Sequence, residues 1–307
     1  MLDYKLVEAL AMVVREGGFE KAARAMHLTQ SAVSQRVKLL EDQTGQVLLV
    51  RSTPPQATGA GSEVLKHYRQ VERLEGDLAE AMAPDRAGAL EVLPIGVNAD
   101  SLSTWFLDAV RPILRTRKLL LDLSVDDQEQ THNMLKRGEV VGCVSARVTP
   151  VQGCLATCLG RMVYRLLATP GFVAAWFADG FTPEAARIAP AVIFDRKDDM
   201  HNKVLVRAFG EVPGKVPTHY IPSSEKFLDM VVSGFGYGMV PDYQSEQLRE
   251  AGALIDVAPG FAVPVDLYWH CWNIGSPLLE EFSKALFEHA WMVLANPSEE
   301  TGPFGPV

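Results

Sequence analysis

The chain has 307 residues, 48% hydrophobic and 22% charged, with a formal net charge of −9. That is about two domains' worth of sequence and too apolar for a disordered protein, while no run approaches the ~18 uninterrupted apolar residues of a membrane helix. Four cysteines (Cys143, Cys154, Cys158, Cys271) are too few for a disulfide framework, and no signal-peptide h-region opens the chain, so a cytoplasmic protein with reduced thiols is expected.

The average charge conceals a division. Residues 1–60 carry Lys5, Arg15, Lys21, Arg24, Arg36, Lys38 and Arg51 against six acids, a net +1 that leaves −10 on the remainder. Asp3, Glu8, Glu16 and Glu20 precede residue 21, whereas Arg24, Arg36, Lys38 and Arg51 follow it, a workable electrostatic footprint for a polyanion. Leu6, Leu10, Val13 and Val14 recur at helical spacing and predict a first helix over 4–16, stopped by Gly17-Gly18. A second helix is expected over 19–26, then a turn at His27-Leu28. Thr29 is a good N-cap for a third helix from Gln30 to about Gln43. On it Val33, Val37 and Leu40 face inward, leaving Gln30, Ser31, Ser34, Gln35, Arg36 and Lys38 outside. Two short helices about a tight turn, the second polar at its N-terminal end, is the helix-turn-helix layout. Gln30 suits adenine, Ser31 and Ser34 hydrogen-bond either way, and Arg36 and Lys38 suit phosphates or, for Arg, guanine. A solvated helix face would carry the same pattern.

The stretch from Gly18 to Glu41, GFEKAARAMHLTQSAVSQRVKLLE, closely resembles the N-terminal motif of LysR-type transcriptional regulators. The similarity continues through Gly45–Arg51 and Thr58–Gly61, where that family has its wing and the start of its linker helix. Gln35-Arg36 inverts the commoner order, Leu49 replaces the usual Phe, and Pro54-Pro55 sits in the wing. These departures resemble the ArgP/LysG branch, regulators of amino-acid export and biosynthesis also described as inhibitors of chromosome replication initiation. The resemblance implies a winged helix-turn-helix domain over 1–58 that reads promoter DNA through Thr29, Gln30, Ser31, Ser34, Gln35, Arg36, Lys38 and Arg51.

A long helix is expected from Thr58 to about Met82. Val64, Tyr68, Val71, Leu74, Leu78 and Met82 recur in steps of three and four, as a two-helix seam does, although a helix lying on its own core would look similar. The resemblance implies that 59–87 is a linker that pairs chains into dimers, with tetramers of paired dimers expected, and the run Ala83–Gly88 with its Pro and Gly reads as a hinge.

Beyond it, strand-like runs over 90–97, 119–125, 140–145, 161–168, 191–194, 218–221, 237–240 and 265–271 interleave with helical runs. These are expected near 101–114, 130–137, 171–177, 200–209, 224–232, 241–250 and 277–294. That alternation predicts α/β subdomains with mainly parallel sheets. The family's effector domain is similar to periplasmic binding proteins, which implies two Rossmann-like subdomains, 88–160 plus 266–295 and 161–265. Two strands crossing near 160–163 and 263–266 would join them, and 296–307 is expected to be a disordered tail.

In parallel sheets ligands lie beyond the strands' carboxyl ends, where helix N-termini point. Asn98, Ser101 and Thr104 open a helix there and suit a carboxylate. Asp100, Asp126 and Asp198 suit a cation, and Ser145, Ser223 and Ser224 complete a polar cluster from both lobes. Each has a plainer role: the serines and Asp198 as helix caps, Asp126 in a solvated loop. The combination points to a basic amino acid, lysine or arginine, and the resemblance carries more of that reading than the side chains do. Another small carboxylate remains an alternative, as does a binding protein without a regulatory role. An enzyme is the rival class: Asp195, His201 and Ser223 make a triad on paper. Yet there is no nucleophile elbow, dinucleotide fingerprint or Walker loop. Cys154 and Cys158 lack zinc partners, and His67, His132, His219, His270 and His289 read as scattered structural histidines. The expected protein is therefore not an enzyme. It has no metal or cofactor beyond its effector, and its partners are double-stranded promoter DNA, itself and RNA polymerase, with no membrane.

Overall fold

The computed structural model describes residues 2–82, 90–125 and 128–296. The expected hinge at 83–88, Asp126 and all of the expected tail but Asn296 lie outside them. Three helices, α1 (Tyr4–Arg15), α2 (Phe19–Ala25) and α3 (Gln30–Thr44), pack around Leu6, Leu10, Val13, Ala22, Val33, Val37 and Leu40. The turn between α2 and α3 is made by His27 at φ 54°, and the Leu28 amide donates back to the Ala23 carbonyl at 2.9 Å. Thr29 Oγ1 then accepts from the Ala32 amide at 3.2 Å and starts α3. The wing is a two-stranded ribbon, β1 (Leu49–Val50) against β2 (Gln56–Ala57). Glu41 of α3 accepts from the Leu48 and Leu49 amides at 2.9 and 3.3 Å, which holds the wing to the helix.

Helix α4 (Gly59–Met82) leaves the wing with Thr58 as its cap, Thr58 Oγ1 accepting from the Gly61 amide at 3.0 Å. Its apolar face divides, unlike the continuous seam the spacing suggests. Val64 and Tyr68 pack on the core of the N-terminal domain, while Leu74, Leu78 and Met82 stay exposed. Arg73 pairs with Asp77 at 2.7 Å and Glu91 at 2.9 Å, and Arg117 pairs with Glu80 and Glu281, so α4 also lies against the following domain.

That domain begins with β3 (Glu91–Val97) and α5 (Ala99–Ser101), which runs through a π-helical turn at Leu102–Phe106 into α6 (Leu107–Thr116). The chain continues through β4 (Leu119–Val125), α7 (Gln128–Lys136), β5 (Gly142–Ser145), β6 (Cys154–Ala168), α8 (Pro170–Trp176), α9 (Pro183–Ile188), β7 (Ala191–Ile193) and α10 (Met200–Phe209). It ends with β8 (Thr218–Tyr220), α11 (Ser224–Val232), β9 (Tyr237–Pro241), α12 (Asp242–Glu250), β10 (Ile255–Asp256), β11 (Val263–Trp272) and α13 (Pro277–Val293). Strands run in the order β4-β3-β5-β11-β6-β9-β7-β8, with β10 on β6. Each lobe contributes parallel pairs, β3 with β4 and β5, and β7 with β8 and β9. The pairs of β6 and β11 are all antiparallel, so the sheets are more mixed than expected. These two strands pair with each other along Cys154–Tyr164 and Val263–Trp272, crossing from lobe to lobe with a register shift at Leu267/Tyr268. The first begins at Cys154, well before the expected Arg161. Small residues and Gly160 break the apolar run of its first half, Cys154–Gly160, which therefore lacks a strand signal.

One buried group makes stability depend on pH. His201 of α10 is buried against Tyr237, ring centroids 5.0 Å apart, and burial pushes its imidazole down to about 4 from 6.5. The unfolded chain therefore binds a proton that the folded chain refuses. This contribution is fully present above pH 6.5 and is lost as the pH falls from there towards 4, on the order of 3 kcal/mol in all. Denaturant midpoints of His201→Phe measured from pH 7 to pH 4 should fall less than those of the parent. Parallel curves would remove His201 from the acid sensitivity.

Candidate functional site

The N-terminal domain presents the polar face of α3 as the helical spacing predicts. Gln30, Ser31, Gln35 and Lys38 of α3 are exposed, Ser34 and Arg36 are half-buried beside them, and Arg51 projects just beyond β1. Thr29 is committed to the helix start, its hydroxyl also 3.0 Å from that of Ser31. Elsewhere on the domain Arg15 is paired with Glu16 and Arg24 with Glu20, whereas Lys5 and Lys21 form no ion pair within 4.0 Å among the described residues. No ion pair within 4.0 Å is formed by Arg36, Lys38 or Arg51 among the described residues, so α3 and the wing offer uncompensated positive charge. Arg36→Gln should lower DNA affinity and reduce the slope of log K against log salt by about one unit, the share of one phosphate contact. An unchanged slope in fluorescence anisotropy would show that Arg36 meets no phosphate.

The second site lies between the lobes. Asn98 and Ser101, at the carboxyl end of β3 and the start of α5, are buried. Neither Asn98 Oδ1 nor Ser101 Oγ finds a hydrogen-bond partner among the described residues. Buried polar atoms left unpaired cost about 1–3 kcal/mol each, so the two at this helix start are suited to accepting and donating hydrogen bonds to a ligand. Thr104 does not join them. Its hydroxyl donates to the Asp100 carbonyl at 2.6 Å, and Ser103 does the same at 3.1 Å, where the helix widens into its π turn.

Asp100 holds the two lobes together. Its carboxylate accepts from the Tyr164 hydroxyl on β6 at 2.7 Å and from the Ser224 hydroxyl on α11 at 2.6 Å. Gln244 of α12 donates to both Ser103 Oγ and Ser224 Oγ at 3.2 Å, closing a ring of side chains across the cleft. Burial, with Asp100 beside it, raises the Tyr164 hydroxyl well above the usual phenol range. Asp198 faces the same space. Its carboxyl is raised chiefly by burial and further by Asp100 and Asp195, against the Met200 and Phe194 amides that donate to it at 2.9 and 3.4 Å. Asp198 thus holds the first amide of α10, whose N-cap is Asp199, and adds a second carboxylate near Asp100. Two carboxylates near enough for Asp100 to act on Asp198 suit a cation.

The remaining expectations separate. Ser145 is buried at the end of β5, accepting from the Arg147 amide at 3.2 Å. Ser223 serves as the cap of α11, accepting from the Lys226 amide at 3.5 Å. Tyr164 and Gln244 were not predicted. A tyrosine inside an apolar crossing strand and a glutamine on a surface-patterned helix carry no sequence signal for ligand contact. The paper triad falls apart: Asp195 accepts from the Lys197 and Asp198 amides, Ser223 caps a helix, and neither His201 nitrogen has a partner among the described residues. The histidines are not all isolated or satisfied either. His132 and His270 meet edge to face at 5.3 Å, and each leaves Nδ1 unpaired among the described residues. Sequence spacing could not bring α7 and β11 together.

Known proteins place this geometry. Residues 4–62 match the model of the bacterial regulatory helix-turn-helix protein, lysR family, and residues 87–291 match the LysR substrate binding domain. The HTH-type transcriptional regulator ArgP of Aeromonas salmonicida is 45% identical over 93% of this chain and 95% of its own length. ArgP of Pseudomonas aeruginosa strain UCBPP-PA14 is 44% identical over 94% and 96%. The crystal structure of ArgP from Mycobacterium tuberculosis superposes with a TM-score of 0.86 at 36% identity, covering 96% of this chain and 100% of that one. Full-length LysG from Corynebacterium glutamicum with bound effector Arg gives 0.82 at 31%, with the same coverage.

Proposed function

The chain belongs to the LysR family of bacterial helix-turn-helix regulators, and from that premise we propose that its effector is a basic amino acid held between Asp100 and Asp198. It is a DNA-binding transcriptional regulator with an effector domain, not an enzyme. The observation that carries the effector reading is the pairing of two partly desolvated carboxylates with an unpaired hydroxyl at a helix start. The α-carboxylate would take the Ser101 hydroxyl and the free amides of α5, the α-ammonium Asn98 Oδ1, and the side-chain cation the two acids. LysG with its bound arginine, 31% identical, supports the same ligand class.

Asp100 explains how binding would be felt. Its carboxylate is satisfied by Tyr164 of the crossing strand and Ser224 of the other lobe. A cation arriving at Asp100 competes with those hydroxyls and so changes how firmly the lobes are held. The response scales with the ligand's differential affinity for the two arrangements. The exposed Leu74, Leu78 and Met82 of α4 suit pairing with a second copy, which would set two readers on one pseudo-palindromic promoter site. Contact with RNA polymerase and control of amino-acid transport or metabolism genes belong to the same reading. Footprinting of genomic fragments with and without arginine and lysine tests it. A protection pattern that shifts with either ligand supports it, and one indifferent to both contradicts it.

A further inference from the structure

A second cavity lies away from the cleft, between α4 and the first lobe. It measures about 460 Å³ and is lined by Glu63, Lys66, His67, Lys136 and His132 together with the 151–153 loop. Its charge balance is unusual for an acidic chain: two lysines and two histidines face one carboxylate among the lining residues. Lys66 is the central feature. Its side chain is buried, its ammonium donates to the Gln152 carbonyl at 3.0 Å, and it has no ion pair within 4.0 Å among the described residues. The ammonium thus reaches the cavity wall with a single carbonyl as its partner and N–H donors left over for an anion. His132 adds an unpaired Nδ1 among the described residues, and burial first, then His270, Arg147 and Lys136, hold its imidazole below the usual range. The walls are fixed by close packing. Gly138 sits so near α4 that a Cβ there would meet Lys66 Cα at 2.7 Å, and Arg69 donates to the Gly138 carbonyl.

We propose that this cavity binds a small dianion, a phosphate or a dicarboxylate, between Lys66 of α4 and Lys136 of α7. Such a ligand ties together two elements with different duties. Helix α4 carries the DNA-binding domain, whereas α7 follows β4 in the effector domain and ends against α4. An anion clamped between them fixes the angle of the effector domain on the linker, a second input independent of the cleft.

The test is isothermal titration of the full chain with inorganic phosphate and with succinate, at constant ionic strength, using acetate as the monoanion. Saturable heat is expected for at least one dianion, with acetate at least tenfold weaker. Lys66→Met should weaken dianion binding by about a hundredfold, the cost of losing one buried charged partner. Lys136→Gln, at an exposed helix end where folding is not at stake, should weaken it several-fold and keeps the test decisive if the first variant folds poorly. No saturable heat from either dianion overturns the proposal. So does binding that survives Lys136→Gln undiminished, which would place the anion elsewhere, for example on the DNA-reading face.

Discussion

Asp100→Asn is expected to weaken arginine or lysine binding by about a hundredfold, and to leave DNA protection unchanged when either ligand is added. The size follows from removing one partner of a desolvated charge pair, which costs about 3 kcal/mol. Asparagine keeps an oxygen to accept from one of the Tyr164 and Ser224 hydroxyls, so the loss reports on charge more than on shape. Calorimetry with arginine reads the first effect and footprinting the second. If the variant binds arginine with parental affinity, the cation is not at Asp100 and the cleft assignment is wrong.

Gly61→Ala is expected to unfold the reader from its linker. An ideal Cβ at this position would lie 2.0 Å from the Leu48 carbonyl oxygen and 2.9 Å from its carbon. Both are main-chain atoms, so no side chain can swing away. The first turn of α4 approaches the wing this closely because Thr58 caps the helix and also donates to the Val47 carbonyl at 2.7 Å. Overpacking of this kind costs about 3 kcal/mol. Thermal melting of the N-terminal unit should fall by several degrees and DNA affinity with it, while arginine titration of the effector domain is unaffected. An unchanged melting curve would mean that α4 and the wing separate more easily than their contacts suggest.

The reader was legible in the sequence almost residue by residue because its signals are local. Thr29 caps α3, Val33, Val37 and Leu40 are buried, and the turn falls at His27. Local signals also located most strands and helices of the effector domain. They failed where partners come from far along the chain. The six-residue helix Pro183–Ile188 is too short for a period to show, and β10 is a two-residue pairing made only by β6. Ser101 and Asn98 were visible as a helix start, but Thr104 looked equivalent until its hydroxyl was seen bonded to the main chain. Asp100 read as a free acid. Its role as a bridge depends on Tyr164 and Ser224, distant in sequence and brought to it by the crossing strands and the second lobe.

The opening charge balance acquires two distinct meanings. The near-neutral first sixty residues hold Arg36, Lys38 and Arg51 without acidic partners among the described residues. The acidic remainder includes Asp100 and Asp198 in the cleft. The measurement that bears most directly on that second meaning is calorimetric titration of the full chain with arginine, lysine and citrulline, the neutral isostere of arginine. Arginine or lysine should bind, and citrulline should bind about a hundredfold more weakly, because it offers the cleft carboxylates no charge. Equal affinity for all three would contradict recognition of a cation by Asp100 and Asp198.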